Sequence, residues 1–251
     1  MDDSALRSLV RGSLAHEQHL VGTHVPGAHA IDLDGVVAAV VPSVPESSIA
    51  NAAVVRDPDA VTPAVIAELD AAYTAAGIGK WGVWFDPEHR DVLGVVSAAG
   101  MVFDSHPMQM GGVLADMPLD DAPPAPSLSS RAAGHVNDLA YGHSDDRLER
   151  MLASIPDEVG HTYGAFDDAG EPISVVTVTD HDGDAAVWFV ATVPWARGQG
   201  HATRLMRRAL LDARGRGCVT TSLIASQSGA PVYAKLGYRA LGELHLWERR
   251  P

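Results

Sequence analysis

The chain has 251 residues, of which 46% are hydrophobic and 20% charged, a balance that excludes disorder and leaves room for two ordinary domains. Its net charge of −14 argues against nucleic acid or an anionic membrane surface as a partner and leans toward cationic ones. The single cysteine, Cys218, excludes an internal disulfide and a multi-cysteine zinc site, and with no long apolar run or leader pattern a cytoplasmic protein is expected.

In chain order, a helix is predicted over residues 3–14, where Leu6, Leu9, Val10 and Leu14 share one face. Residues 35–41 and 49–55 read as buried strands. Thr62 is a good N-cap, Pro63 suits a first turn and Gly77 a stop, so a helix is expected between them. A strand over 80–85, a helix over 88–99 ended by Gly100, and strands near 101–104 and 109–115 follow. Residues 118–126 carry four prolines, which cannot continue a helix or a central strand. They are taken as a stiff linker between one domain over 1–117 and another over 127–251.

Beyond the prolines, helices are predicted over 129–141 and 145–155. Strands over 161–167, 172–180 and 184–193 are joined by turns at Asp168–Gly170 and His181–Gly183. A helix over about 200–214, a strand over 218–225, a helix over 229–236 and strands near 237–241 and 244–249 complete the chain. The fold class is α/β, with mixed sheets flanked by helices. Both halves run strand, helix, strand, helix and two closing strands, which points to a diverged tandem duplication.

The chemistry concentrates in residues 187–202, Val-Trp-Phe-Val-Ala-Thr-Val-Pro-Trp-Ala-Arg-Gly-Gln-Gly-His-Ala. An apolar strand enters a glycine-bearing turn and a helix starts at once. The first N–H groups of a helix lack internal partners and sit at the positive end of its dipole, so they can grip phosphate. Gly198 and Gly200 let a ligand approach the backbone. Between Trp195 and Arg216 lie Arg197, Arg204, Arg207, Arg208, Arg214 and Arg216 against Asp212 alone, a local charge of +5 that leaves −19 for the remainder. The competing reading of the outer arginines, from Arg207 onward, is a solvated helix face. A dinucleotide fingerprint is rejected because Thr203 stands where a third glycine is needed, and a nucleotide-triphosphate loop because no lysine follows.

Arg197-Gly-Gln-Gly200-His-Ala202 resembles the signature of the GNAT superfamily of N-acetyltransferases, Arg or Gln, two residues, Gly, one residue, Gly or Ala. Downstream, Ser226-Gln-Ser-Gly-Ala-Pro-Val-Tyr233-Ala-Lys-Leu-Gly237-Tyr238 resembles the family's second segment, with Ser226 in place of the usual Asn and Tyr238 in place of Phe. The resemblance implies direct transfer of an acetyl group from acetyl-CoA to a primary amine in a ternary complex. It implies that the backbone of Val190, Ala191 and Thr192 holds the pantetheine. Arg197, Gly198, Gln199, Gly200, His201, Ala202 and Thr203 would hold the pyrophosphate, with Ser226 beside the cofactor. Tyr233 would protonate the leaving thiolate, a role suited to a phenol near pKa 10; its alternative is a core aromatic beside Leu236. No metal is implied, the acceptor would be a small or peptidic amine, and a homodimer is compatible with the pattern.

The sequence departs from the family in two places. Many relatives carry a glutamate base on the strand before the turn, whereas Ala185–Val193 holds no acid. Asp180, His181, Asp182 and His245 are the nearby alternatives, each more simply a solvent-facing residue. The first half has Arg56-Asp-Pro-Asp-Ala-Val-Thr where a glycine turn would be, so residues 1–117 are expected to form a degenerate half that does not bind CoA. His16-Glu-Gln-His19 is one residue short of a zinc-protease helix motif, and Cys218 opens an apolar strand as a buried thiol. A non-catalytic acyl-CoA sensor and a donor such as succinyl-CoA are the competing functional readings.

Overall fold

The computed structural model describes residues 1–119 and 122–251. Its helices and strands, in chain order, are α1 (Asp3–His24), β1 (His29–Leu33), β2 (Val36–Val40), β3 (Ala52–Val55), α2 (Pro63–Ala75), β4 (Trp81–Phe85), α3 (Arg90–Ala98), β5 (Val102–Ser105) and β6 (Met108–Val113). They continue with α4 (Ser130–Tyr141), α5 (Arg147–Leu152), β7 (His161–Phe166), β8 (Pro172–His181), β9 (Asp184–Thr192), α6 (His201–Arg216), β10 (Thr220–Ala225), α7 (Ala230–Lys235), β11 (Arg239–Glu243) and β12 (His245–Arg249). By its contacts the chain forms two compact units. One comprises Met1–Leu6, Met110–Leu223 and Ser228–Ala240, the other Arg7–Gln109, Ile224–Gln227 and Leu241–Pro251.

Each half builds a six-stranded sheet on one plan. The first runs β1-β2-β3-β4-β12-β5 and the second β7-β8-β9-β10-β6-β11. Position by position the plans match, with one parallel pair in the middle, β3–β4 in the first and β9–β10 in the second. The fifth place is exchanged. Strand β6, the last of the first half, lies in the second sheet, and β12, the last of the second half, lies in the first. The expected tandem duplication is therefore present, with two strands traded.

In the first sheet, Trp81, Val83 and Phe85 of β4 and Val36, Ala38 and Val40 of β2 face Ile66, Leu69 and Tyr73 of α2. Tyr73 stacks on Trp81 at 4.7 Å and its hydroxyl donates to the Ala39 carbonyl at 2.9 Å. Loop 41–51 is closed by Asn51, whose amide donates to the Val44 and Ser47 carbonyls and accepts from the Val41 N–H. In the second sheet, Ala133, Val136 and Ala140 of α4 pack on Ile173, Val175 and Ala191 of β8 and β9.

Two expectations change. Helix α1 runs to His24, ten residues past the predicted end, because its buried stripe continues through Val21 and absorbs the polar Gln18, whose amide nitrogen donates to the Ala50 and Ala52 carbonyls. The His16–His19 segment is thus helical. The one His/Cys/acid grouping close enough for a metal among the described residues is elsewhere, at Asp86, Glu88 and His89, where Arg11 already pairs with Asp86. Strand β1, with its mixed burial pattern, lacked an apolar run and was missed. Of the proline-rich segment 118–126, Asp120 and Asp121 lie outside the described residues. Leu119 before them is buried, and the Pro126 carbonyl after them accepts from the Gly164 N–H at 2.9 Å.

Glu17 lies on the same stripe of α1 as buried Val10, Leu14 and Val21, and burial pushes its carboxyl up to about 8. The folded state therefore holds this proton more tightly than the unfolded chain. Its contribution is complete below the ordinary value of 4.5 and is lost as pH rises toward 8. Glu17→Gln should match the parent near pH 5 and exceed its stability at pH 8.5 by about 3 kcal/mol, allowing for partial solvent access. Urea unfolding at both pH values checks this; an equal gain at the two would show that ionisation is not the cause.

Candidate active site

The site begins with an interrupted pair of strands. β9 and β10 are in parallel register only from Asp184↔Thr220 to Ala186↔Ser222. Both strands continue, β9 to Thr192 and β10 to Ala225. From Val187 onward β9 has no partner on that side, and a fork opens. Against β8 the register slips between Val175↔Ala191 and Thr177↔Trp188, which leaves an extra residue on β9. Phe189 within this bulge has φ 43°, a left-handed conformation rare for an aromatic side chain. Trp188, Phe189 and Val190 are partly exposed while their neighbours are buried, and the Trp188 indole N–H donates to Thr179 Oγ1 at 2.6 Å.

The strand ends in a tight turn. Pro194–Ala196 form a single 3₁₀ turn, and Gly198 and Gly200 follow at φ 76° and 78°. A side chain at Gly198 would meet nothing within 4 Å, so this turn faces open space. α6 starts directly after Gly200 with no side-chain cap. Its first turn, His201, Ala202 and Thr203, therefore presents N–H groups that no side chain has claimed. His201 Nδ1 lies 2.9 Å from the Arg204 guanidinium. Since arginine can only donate, Nδ1 accepts and the ring proton sits on Nε2. That buried Nε2 has no partner among the described residues. Burial, then the Arg204 charge, lowers the His201 pKa, so this ring is a neutral donor.

Arg197 does not point its whole guanidinium at the turn. Nε donates to the Thr192 carbonyl at 3.1 Å and Nη2 to the Ala140 carbonyl at 2.7 Å, tying the end of β9 to the last turn of α4. Gln199 donates to the Trp195 carbonyl at 3.4 Å. The outer arginines are partly spent as well. Arg208 pairs with Asp212, and Arg216 holds both oxygens of Asp180 at 2.6 and 2.8 Å. Burial works to raise the Asp180 carboxyl, but Arg216 outweighs it and keeps it below the ordinary range. The basic stripe thus contracts toward Arg204 and Arg207.

Tyr233 stands on α7, half-buried, and its phenol is raised by burial and then by Tyr141 nearby. Val190, Ala191 and Thr192 lie on β9 past the bulge, and the Ser174 hydroxyl donates to the Ala191 carbonyl at 3.1 Å. Ser226 is exposed after β10 and belongs by its contacts to the other unit. One acid was misplaced by the sequence reading. The strand predicted over 184–193 does hold an acid at its first residue, Asp184, which is fully buried, with Ser222 Oγ donating to it. The signal was the aspartate directly after the turn glycine, Gly183. His245 is engaged with Glu243.

A family model described as acetyltransferase (GNAT) family matches residues 131–238. Residues 131–238 are a GNAT domain. Among solved structures, a GCN5-related N-acetyltransferase from Kribbella flavida has a TM-score of 0.70 at 20% identity, covering 96% of this chain and 95% of that one. A tandem GNAT protein from the clavulanic acid biosynthesis pathway has a TM-score of 0.60 at 14% identity, covering 98% and 95%. A GCN5-related N-acetyltransferase from Sphaerobacter thermophilus has a TM-score of 0.55 at 17% identity, covering 88% and 83%. At these identities the likeness is one of fold, and it extends through the half that precedes the GNAT domain. No curated protein sequence matches the chain. No helix among the described residues is long and apolar enough to cross a membrane.

Cys218, beside the GNAT domain's second parallel strand, is buried, and burial followed by the nearby Asp180 carboxylate pushes its thiol up to about 12. It should resist iodoacetamide at pH 8 in the native protein and react once urea unfolds the chain. Rapid native labelling, read by mass spectrometry, would return it to the list of reactive groups.

Proposed function

We propose that the chain is an N-acyltransferase that moves an acetyl group from acetyl-CoA to a primary amine. The observation that carries this reading is the fork. A strand freed of its parallel neighbour runs through a bulge into a glycine turn and an uncapped helix N-terminus. That sequence of features offers an extended amide-bearing thiol arm a strand edge, and offers its pyrophosphate a ring of N–H donors. The family's members transfer acyl groups from acyl-CoA, which the fork suits.

In this reading Val190, Ala191 and Thr192 hold the pantetheine. Gly198, Gln199, Gly200, His201, Ala202 and Thr203 hold the pyrophosphate, the neutral His201 Nε2–H adding a donor. Arg197 acts through the two carbonyls it clamps and not as a direct phosphate ligand. The amine, as the free base, forms a bond from its lone pair to the thioester carbonyl carbon, the C–S bond breaks, the Tyr233 hydroxyl gives its proton to the leaving sulfur, and the proton shed by the nitrogen returns through solvent to the Tyr233 phenolate. A phenol raised by burial stays protonated at neutral pH, as an acid must before it acts. The first half lacks these features. Its β3 and β4 stay paired from Ala52↔Gly82 to Val54↔Trp84, almost the whole of β3. The N-terminus of α2 is capped by Thr62 and begins with Pro63. It is assigned a supporting role without CoA.

Thiol release from acetyl-CoA with putrescine, tryptamine and Nα-acetyl-lysine as amines tests the reading. Gly200→Glu should weaken CoA binding about 100-fold or more by placing a carboxylate in the phosphate space, with strain at positive φ adding to it. Gly200→Asn tolerates that φ without the charge and should retain much of the affinity; calorimetry showing equal, undiminished binding by both would refute the phosphate assignment. Tyr233→Phe should lower kcat by about 100-fold while changing the CoA Kd little. Tight acetyl-CoA binding with no release for any amine would instead favour a sensor.

A further inference from the structure

α7 has six residues, begins with a proline at its second position, and buries none of its side chains. With no fully buried side chain of its own, α7 leaves the half-buried Tyr233 ring to be held in good part by neighbours beyond the helix. Tyr238, just past Gly237, touches the Tyr233 ring at 6.0 Å between centroids and 66° between planes, an edge-to-face contact. Tyr238 is itself buried, and its N–H donates to the Tyr233 carbonyl at 3.2 Å.

The Tyr238 hydroxyl is anchored in turn. It lies 2.7 Å from Thr221 Oγ1, and Thr221 Oγ1 lies 2.7 Å from the Ala185 carbonyl. A threonine hydroxyl has one proton. A carbonyl can only accept, so that proton goes to Ala185, and Tyr238 must donate to Thr221. Thr221 and Ala185 face each other in the parallel register of β9 and β10, one step before the fork opens. A single chain of donors therefore runs from the Tyr238 phenol to the root of the fork. The Tyr238 proton is committed to it, which removes Tyr238 as an acid in its own right.

We propose that Tyr238, through Thr221 and the Ala185 carbonyl, is the positioning residue that sets the Tyr233 ring relative to the fork. The inference rests on the catalytic reading of Tyr233 and goes beyond it. Removing the Tyr238 hydroxyl leaves its ring in place but frees it to shift, and Tyr233 shifts with it. A small displacement of a proton donor lowers the rate of the step it serves without loosening a cofactor held elsewhere.

The test is a double-mutant cycle in the full chain, with thiol release from acetyl-CoA and the three amines above. Tyr238→Phe should lower kcat roughly tenfold with KM for acetyl-CoA little changed. Thr221→Val, which breaks the same chain one link on, should give the same loss, and the pair together no more than either alone. In a Tyr233→Phe background, Tyr238→Phe should cost nothing further. A merely structural role predicts the same loss in both backgrounds, and that result overturns the proposal, as does an unchanged kcat in Tyr238→Phe and Thr221→Val. If Tyr233→Phe itself keeps full turnover, the catalytic reading falls and takes the positioning role with it; if Tyr233→Phe is slow but Tyr238→Phe is not, the positioning role alone falls.

Discussion

A parallel strand pair that stops after three residues is the constraint on which the second half depends. Backbone N–H and C=O groups in a sheet interior need partners, and β9 has none on its β10 side after Ala186. The bulge at Phe189 turns the freed edge further, since an extra residue on one strand increases local twist. Everything assigned to the cofactor then lies along one continuous path: the freed edge, the 3₁₀ turn, two glycines at positive φ, and the first turn of α6. Ser174 and Arg197 hold that path by donating to the carbonyls of Ala191 and Thr192.

The two halves show how the same plan can carry or lose such a path. In the first half the parallel pair spans three of the four residues of β3, so no long free edge follows it, and α2 is capped by a side chain and begins with a proline. Asp57 and Asp59 stand in the turn before it, where Asp57 itself caps the 3₁₀ turn through the Asp59 N–H. Each of these satisfies locally a donor that the second half leaves open, and the two carboxylates would repel a phosphate. An eleven-residue loop, 41–51, closed by Asn51, replaces the tight His181–Gly183 turn at the matching place.

Local elements were legible because their signals are local. The cap at Thr62, the stops at Gly77 and Gly100, both at positive φ, and the turn at His181–Gly183 fall where their residue types require. The glycine turn before α6 was legible for the same reason. The exchange of β6 and β12 was not. Short turns join β5 to β6 and β11 to β12, so each pair reads as a hairpin, while pairing with strands more than a hundred residues away leaves no mark in a local pattern. The extension of α1 was hidden because Glu17 and Gln18 are polar yet lie on its inward stripe. Arg197 was recognisable as a residue type, but its partners, the carbonyls of Thr192 and Ala140, depend on how α4 packs. Asp184 was passed over because it is the first residue of its strand, directly after the turn glycine, and the acid-free run Ala185–Val193 starts one residue later.

The traded strands bear on how such a chain can change over time. In the second sheet, β6 lies between β10 and β11, so one arm of the fork takes its neighbour from the first half of the chain. Without that neighbour, β10 would become a bare edge open to pairing with other chains. The first half is thus free to drift in its own turn and pocket, yet it cannot be discarded. Gene truncation at the prolines would remove a structural member of the other sheet. Inheritance of the two halves as one reading frame is built into the hydrogen bonding.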